Sequence, residues 1–171
     1  MDIKESMDIK DLRPADGEEI PVNEKKPSQR TASRRAAVQA LYQWQMTNNT
    51  PMEILQYFSV EGLLEDADFA FFKELVVEVI ENFEQLDGYY SKLIDRDIKM
   101  IDPVERAILR VACYELKNKI ETPYRVVINE AVELAKRFGA EESHKYINGV
   151  LDRAAKRLRS LEQLEDTKKK K

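Results

Sequence analysis

Between Ser33 and Leu158 the apolar residues recur three and four apart, almost without interruption. That spacing keeps to one face of an α-helix and would scatter over both faces of a strand, so it commits the chain to helices. Ala37, Val38, Leu41 and Trp44 form the first stripe, in a helix from near Ser33 to Met46. Leu55 and Phe58 start a second. Phe72, Leu75, Val76, Val79, Ile80 and Phe83 form a third, in a helix that begins near Asp66 or Asp68 and ends about Phe83. A shorter segment then offers Tyr89, Leu93 and Ile94. Val104, Ile108, Val111 and Ala112 continue the pattern, and Tyr146, Ile147, Val150, Leu151, Ala154 and Leu158 close it. No alternating apolar and polar run competes with this reading. Five glycines among 171 residues also leave little for strand-and-turn architecture or a glycine-rich phosphate loop.

Helix punctuation agrees with the periodicity. Thr50, Pro51 and Glu53 read as cap, first helical residue and capping acid, and Asp102, Pro103 and Glu105 repeat the device. Thr122 and Pro123 open a later helix that stops at Gly139, and Ser143 opens the next. Gly149 inside that helix costs about 1 kcal/mol against alanine, which suggests close approach of another helix. The expectation is an all-α protein of about seven helices in two packed three- to four-helix bundles, divided near residues 95–102. Residues 1–28 mix charges with Pro14, Pro21 and Pro27 and repeat Met1–Lys4 at Met7–Lys10, so they read as a disordered acidic extension. Residues 29–160 make the helical domain, and 161–171 read as a flexible basic tail.

The formal net charge is −4, which excludes a wholly basic nucleic-acid binder and still permits a local basic patch. Cys113 is the only cysteine, so no intrachain disulfide forms, and with His144 the only histidine no Cys- or His-based metal site is expected. Cys113 lies in an apolar helix and reads as a buried small hydrophobe. Glu130 and Glu133 share a helical face, where a salt bridge such as Glu133 to Arg137 is the ordinary use of such acids. No dinucleotide fingerprint, P-loop or zinc signature is present. The expectation is therefore a non-enzyme with no cofactor and no metal. No apolar run reaches the roughly 18 residues a membrane span needs, and the polar N-terminus lacks a signal-peptide core, which points to the cytoplasm.

Three segments carry binding signals. Arg30, Arg34 and Arg35 crowd a helix start, where the dipole disfavours cations. Arg30 and Arg34 extend the core stripe, whereas Arg35 begins a second stripe with Gln39 and Tyr42, suited to phosphate contact and stacking. A solvated helix end explains the same charges equally well. In "KRFGAEESHKYING", a turn at Gly139 brings Lys136, Arg137, Lys145 and Tyr146 near a helix N-terminus, against Glu141 and Glu142; an ordinary turn with Tyr146 in the core is the alternative. In "DPVERAILRVACYELK", Glu105, Arg106, Arg110 and Tyr114 read either as an intrachain salt-bridge network or as anchors for a protein partner.

"RRAAVQALYQWQ", "VERAILRVACYELK" and "PYRVVINEAVELAKRFGAEESHKYINGVLDRAAK" together resemble the NusB family of bacterial transcription antitermination factors, over about Arg30 to Leu158. The resemblance implies a non-catalytic helical adaptor. It binds boxA RNA together with NusE, a small-subunit ribosomal protein, and acts indirectly on the RNA polymerase elongation complex to promote read-through of ribosomal RNA operons. It further implies that Arg30, Arg34, Arg35, Gln39, Glu142, Lys145 and Tyr146 contact RNA. Tyr42 and Glu105 match positions used towards NusE, with Arg110 and Tyr114 weaker matches on the same helix as Glu105. Some relatives self-associate, so a homodimer of the free protein stays open, and no membrane partner is implied. Two departures from the family pattern stand out: the long acidic lead-in, and the Thr31–Ser33 interruption of the arginine cluster. Fewer cations there imply weaker RNA binding alone and greater reliance on the partner. The competing reading is a protein-only helical scaffold without RNA contact.

Overall fold

A computed structural model describes residues 26–169, so most of the expected acidic extension lies outside the described residues. Among the described residues there are seven α-helices, one 3-10 turn at Ile98–Met100 and no strand, as the periodicity requires. Helix α1 is Gln29–Met46, α2 Pro51–Val60, α3 Phe69–Tyr90, α4 Pro103–Asn118, α5 Tyr124–Phe138, α6 Ser143–Leu158 and α7 Ser160–Lys169.

Helix α1 begins one turn earlier than expected, because Ser28 rather than Ser33 caps it. The Ser28 hydroxyl oxygen accepts the Thr31 N–H at 3.1 Å. Ser33 is fully buried, and its hydroxyl lies 2.9 Å from the Gln29 carbonyl and 2.8 Å from the Asp68 carbonyl. It ties α1 to the entry of α3. The starts of α2 and α4 follow the sequence: Thr50 Oγ1 accepts from Glu53 N at 3.2 Å, and Asp102 Oδ1 accepts from Val104 N at 2.8 Å.

Helix α3 does not stop at Phe83. Asn82 leaves helical geometry (φ −125°, ψ 20°) and its Nδ2 donates to the Glu78 carbonyl at 2.8 Å, so the expected end is a kink. Beyond it Leu86 and Tyr90 are buried, and their burial carries the helix on. Helix α4 is the centre of the molecule. Every residue from Ala107 to Leu116 is buried, and α4 packs against α1, α3, α5 and α6. One continuous apolar core joins the helices α1–α3 to α5 and α6 around it.

The expected flexible tail is instead α7, held by Arg159 at the end of α6. Arg159 is 4% exposed. Its Nε donates to the Leu116 carbonyl at 2.6 Å, Nη1 to Thr122 O at 2.9 Å, and Nη2 to Glu115 O at 3.1 Å and Lys119 O at 2.9 Å. One guanidinium thus satisfies carbonyls left open at the C-terminal end of α4, where a cation also suits the dipole. Glu162, in the first turn of α7, pairs with Arg159 at 3.1 Å and accepts the Tyr124 N–H at 3.0 Å. Glu162 therefore caps α5, whose own cap residue, Pro123, offers no side-chain hydrogen bond.

The two glycines exchange their expected roles. A Cβ on Gly149 would meet nothing within 4 Å, so helix packing does not require this glycine. A Cβ on Gly139 would lie 2.8 Å from the Ala135 carbonyl and 2.8 Å from Ser143 Oγ, so the α5–α6 turn is too tight for any side chain there. The left-handed residue of that turn is Glu142, with φ 68°.

Candidate nucleic-acid interface

The three N-terminal arginines separate once the helix is folded. Arg30 is exposed, with its guanidinium 4.5 Å from the centre of the Phe71 ring. Arg34 turns inward and is 3% exposed. Its Nε and Nη2 donate to the two Glu115 carboxylate oxygens at 2.9 and 2.8 Å, and Nη1 lies 3.6 Å from Glu130. Burial alone would depress the Arg34 pKa. The hydrogen bond and charge of Glu115, with Glu130, outweigh it, and the guanidinium is held above its ordinary value. Arg34 is therefore a structural cation between α1, α4 and α5, which corrects the expectation that it faces RNA.

Arg35 is the half-buried cation of the cluster, and its pKa is lowered, first by burial and then by the like charge of Arg137 on α5. The carboxylates of Glu130 and Glu133 oppose these effects without overcoming them. Arg35 and Gln39 also line an open pocket of about 320 Å³ between α1 and the α2–α3 connection, with Leu63, Glu65 and Asp66 on its far wall. Arg137 is absent from the expected contact set. Its sequence signal was visible, but only the fold brings it to Arg35.

From Arg137 the surface crosses the Gly139 turn to α6. Lys145 pairs with Glu142 at 2.7 Å, both largely exposed. Tyr146 is half-buried, with the Arg96 guanidinium 4.9 Å from its ring centre. Its hydroxyl is buried without a hydrogen-bond partner. Burial raises the Tyr146 pKa, against the positive charges of Arg96 and Arg153. The core reading of Tyr146 holds in part: the side chain packs against the core while the ring meets the Arg96 guanidinium.

Glu105 stands next to this segment, accepting a hydrogen bond from Ser143 Oγ at 2.9 Å. Its pKa is raised by burial, against the lowering effect of the Ser143 bond. Tyr42, 9% exposed, has its pKa raised by burial and then by the charge of Asp102, the α4 cap. Gln45 of α1 donates to the Pro103 carbonyl at 3.1 Å, fixing that end of α1 to the start of α4. The surface formed by α1, α4, α5 and α6 thus carries Arg35 and Gln39 along one pocket, the Glu142–Lys145 pair at the start of α6, and Glu105 joined to α6 through Ser143, with Tyr42 buried near the α4 cap.

Arg110 and Tyr114 are not part of that surface. Arg110, 5% exposed, makes two 2.8 Å bonds to the Asp87 carboxylate, and its guanidinium lies 5.7 Å from the Trp44 ring centre and 5.1 Å from that of Phe83. Tyr114, 7% exposed, donates to Glu74 at 2.6 Å, where Lys119 also binds at 3.1 Å. Both hold α4 to α3. For these two residues the intrachain network is the reading that the structure supports, and their expected role as anchors for NusE is corrected accordingly.

Burial pushes the Cys113 thiol up to about 12, far from a reactive thiolate. Among the described residues no group of three or more His, Cys, Asp or Glu residues has the arrangement to hold a metal ion, and no helix is long and apolar enough to cross a membrane.

Known proteins share this fold and sequence. The NusB family model matches residues 31–156. The transcription antitermination protein NusB of Hydrogenovibrio crunogenus is 55% identical over 156 residues, 91% of this chain and 97% of its own length. That coverage reaches into the segment preceding α1. The Pasteurella multocida NusB is 50% identical over 133 residues, 78% of this chain and 92% of its own. Among solved structures, T. maritima NusB superposes with a TM-score of 0.66 at 33% identity, covering 77% of this chain and 92% of that one. A complex described as antitermination factors NusB and NusE with dsRNA contains a chain that matches at TM-score 0.66 and 26% identity, covering 74% of this chain and 95% of that one. The family model spans most of the helical domain and the relatives cover it nearly end to end: this chain belongs to the NusB family.

Proposed function

We propose that this protein is a transcription antitermination factor without catalytic activity. It binds boxA RNA together with NusE and, through that assembly, acts indirectly on the elongating RNA polymerase to promote read-through of ribosomal RNA operons. The observation that carries the reading is Arg35, a half-buried cation of α1 that lines an open surface pocket with Gln39 and feels the like charge of Arg137 on α5 more than the opposing Glu130 and Glu133. The matched complex containing NusB, NusE and RNA supports the choice of partners.

In this reading Arg30, Arg35, Gln39, Lys145 and Tyr146 contact RNA, with Glu142 orienting Lys145. Tyr42 and Glu105 form the adjoining surface for NusE. Arg34 acts from beneath by fixing α1 against α4 and α5. Burial of Arg34 also favours weak RNA binding by the protein alone, and this is the one observation that lends weight to a protein-only scaffold.

Titration of boxA RNA with and without NusE separates the two readings. The adaptor reading expects mutual enhancement of NusE and RNA binding, and a log–log salt slope of roughly −0.7 per phosphate neutralised on a single strand. Arg35→Gln with Arg137→Gln then flattens that slope. NusE binding that is indifferent to RNA, with an unchanged slope in the double variant, supports the scaffold instead.

A further inference from the structure

The chain enters α1 along the same open pocket that Arg35 and Gln39 line. Pro27 forms part of its wall, and Lys26 pairs at 3.6 Å with Asp66, another lining residue. The Asp68 N–H donates to the Gln29 carbonyl at 3.4 Å, and the Ser33 hydroxyl lies 2.8 Å from the Asp68 carbonyl. The start of α1 is thereby strapped to the α2–α3 connection. Arg35 is the cation of this pocket, with Ala32, Ala36 and Leu63 as apolar neighbours. The carboxylates that act on Arg35 from α5 are engaged elsewhere: Glu130 with Arg34 and Thr31, and Glu133 with Lys136. Immediately upstream, residues 16–24 read "DGEEIPVNE", with four carboxylates, no cation, and Ile20 and Val22 between them. An extended residue spans about 3.3 Å, so the chain lets Glu24 reach about 10 Å from Pro27, and Glu19 about 26 Å.

We propose that residues 16–24 are an intramolecular competitor of RNA for the Arg35 pocket: a carboxylate of this stretch pairs with Arg35 in the free protein and is displaced by an RNA phosphate. The two occupants share their chemistry at the point of contact, an anion accepting from a guanidinium. The covalent tether holds the acids at an effective concentration on the order of millimolar, enough for a weak contact that a multivalent ligand displaces. Lys26 neutralises Asp66, so the exposed Glu65 is the remaining acid of the far wall, and its repulsion directs an incoming carboxylate to the Arg35 side. The inference rests on the RNA-binding reading above and adds regulation to it. The free protein holds RNA weakly, and the further contacts supplied by NusE tip the competition towards RNA.

The test is a double-mutant cycle on the full chain, read by titration with a boxA-type single-stranded RNA. One arm replaces the acids (Asp16→Asn, Glu18→Gln, Glu19→Gln and Glu24→Gln), and the other is Arg35→Gln. The four acid substitutions are expected to tighten RNA binding about three- to tenfold, the gain from removing a competitor that holds the pocket about two-thirds to nine-tenths of the time. In the Arg35→Gln background the same four substitutions are expected to change affinity less than about twofold. Hydrogen exchange without RNA reads the contact directly, and the acid variant is expected to exchange faster at residues 61–67, across the pocket from Arg35. Equal tightening in both backgrounds means general charge repulsion and refutes the competitor. So do unchanged affinity and exchange in the acid variant. In either case a weakened Arg35→Gln leaves the RNA-binding reading standing. RNA binding that is indifferent to Arg35→Gln overturns both.

Discussion

Arg34 and Arg35 are adjacent on one helix and face opposite fates. A step of one residue turns the side chain by more than a quarter of the helix circumference. Arg34 lands between Glu115 and Glu130, sealed from solvent and hydrogen-bonded on two nitrogens. Arg35 lands at the edge, near the like charge of Arg137. The same contrast runs through the molecule. Arg34, Arg110 and Arg159 are each nearly fully buried and each bind carboxylates or carbonyls of a neighbouring helix. Arg30, Arg96 and Arg153 stay at the surface and rest on a ring or a helix carbonyl. The lesson is that a cation count along the chain measures neither the core nor the ligand surface. Geometry divides the same residue type between holding helices together and meeting an external anion.

The sharpest way to break this contrast is to remove each arginine in turn. Arg34→Ala leaves Glu115 buried without its partner, a loss of about 3–5 kcal/mol. Arg35→Ala removes a half-buried, unfavourably placed charge and is expected within about 0.5 kcal/mol of wild type in stability, while RNA affinity falls. Urea denaturation of the two variants checks the first half, and RNA titration the second. Equal destabilisation by both substitutions would abolish the distinction between the buried and the open cation.

The division was only half legible in the sequence. Fold class, the start of α4 at Asp102 and Pro103, and the α5–α6 turn follow from period and capping, because those signals act between residues close in the chain. The partners of Arg34 and Arg110 lie 81 and 23 residues away, and nothing local specifies them. Arg159 was missed for the same reason: its carbonyl partners become neighbours only when α4 and α6 pack. The lysines of α7 mark a tail, whereas its docking depends on Glu162, an acid with no local periodicity to mark it. Gly149 shows the converse, since its local penalty implies a close helix contact that the fold does not contain.

A second prediction probes the buried class at a gentler point. Glu162→Ala removes both the α5 cap and one partner of Arg159, with an expected cost of about 0.5–2 kcal/mol, typical of a lost cap. Arg159 keeps its four backbone carbonyl bonds, so the fold persists. Glu162→Gln, which can still accept from Tyr124 N–H, is expected to recover most of the loss. Thermal melts of the three proteins order them, and an unaltered melt for Glu162→Ala would return α7 to the status of a loose tail.

Tyr146 sits on the border between the two classes, so its substitutions sharpen the comparison. Tyr146→Phe deletes a buried hydroxyl that has no partner and is expected to be neutral or stabilising by up to about 1 kcal/mol. It keeps the ring beside Arg96, so RNA affinity is retained. Tyr146→Ala removes the ring and is expected to lose about 1–3 kcal/mol of RNA binding if a base stacks there. Circular dichroism separates that loss from unfolding. A Tyr146→Phe variant that binds RNA as poorly as Tyr146→Ala would move the recognition from the ring to the hydroxyl.

The smallest expected effect concerns Glu105, where the open surface meets the buried network at Ser143. Burial raises its pKa above the ordinary 4.5, against the Ser143 bond. The folded state therefore holds the Glu105 proton more tightly than the unfolded chain. The stability this contributes is fully present below pH 4.5 and is lost as the pH rises through the higher folded value. Glu105→Gln cannot titrate and can still accept from Ser143 Oγ. Relative to wild type, the glutamine variant is expected to gain stability as the pH climbs from the acid range towards neutral. Urea midpoints of both proteins across that range check the sign. A stability difference that does not vary with pH would mean that Glu105 is solvated like an ordinary surface acid. In that case it would belong with the exposed charges and not with the core.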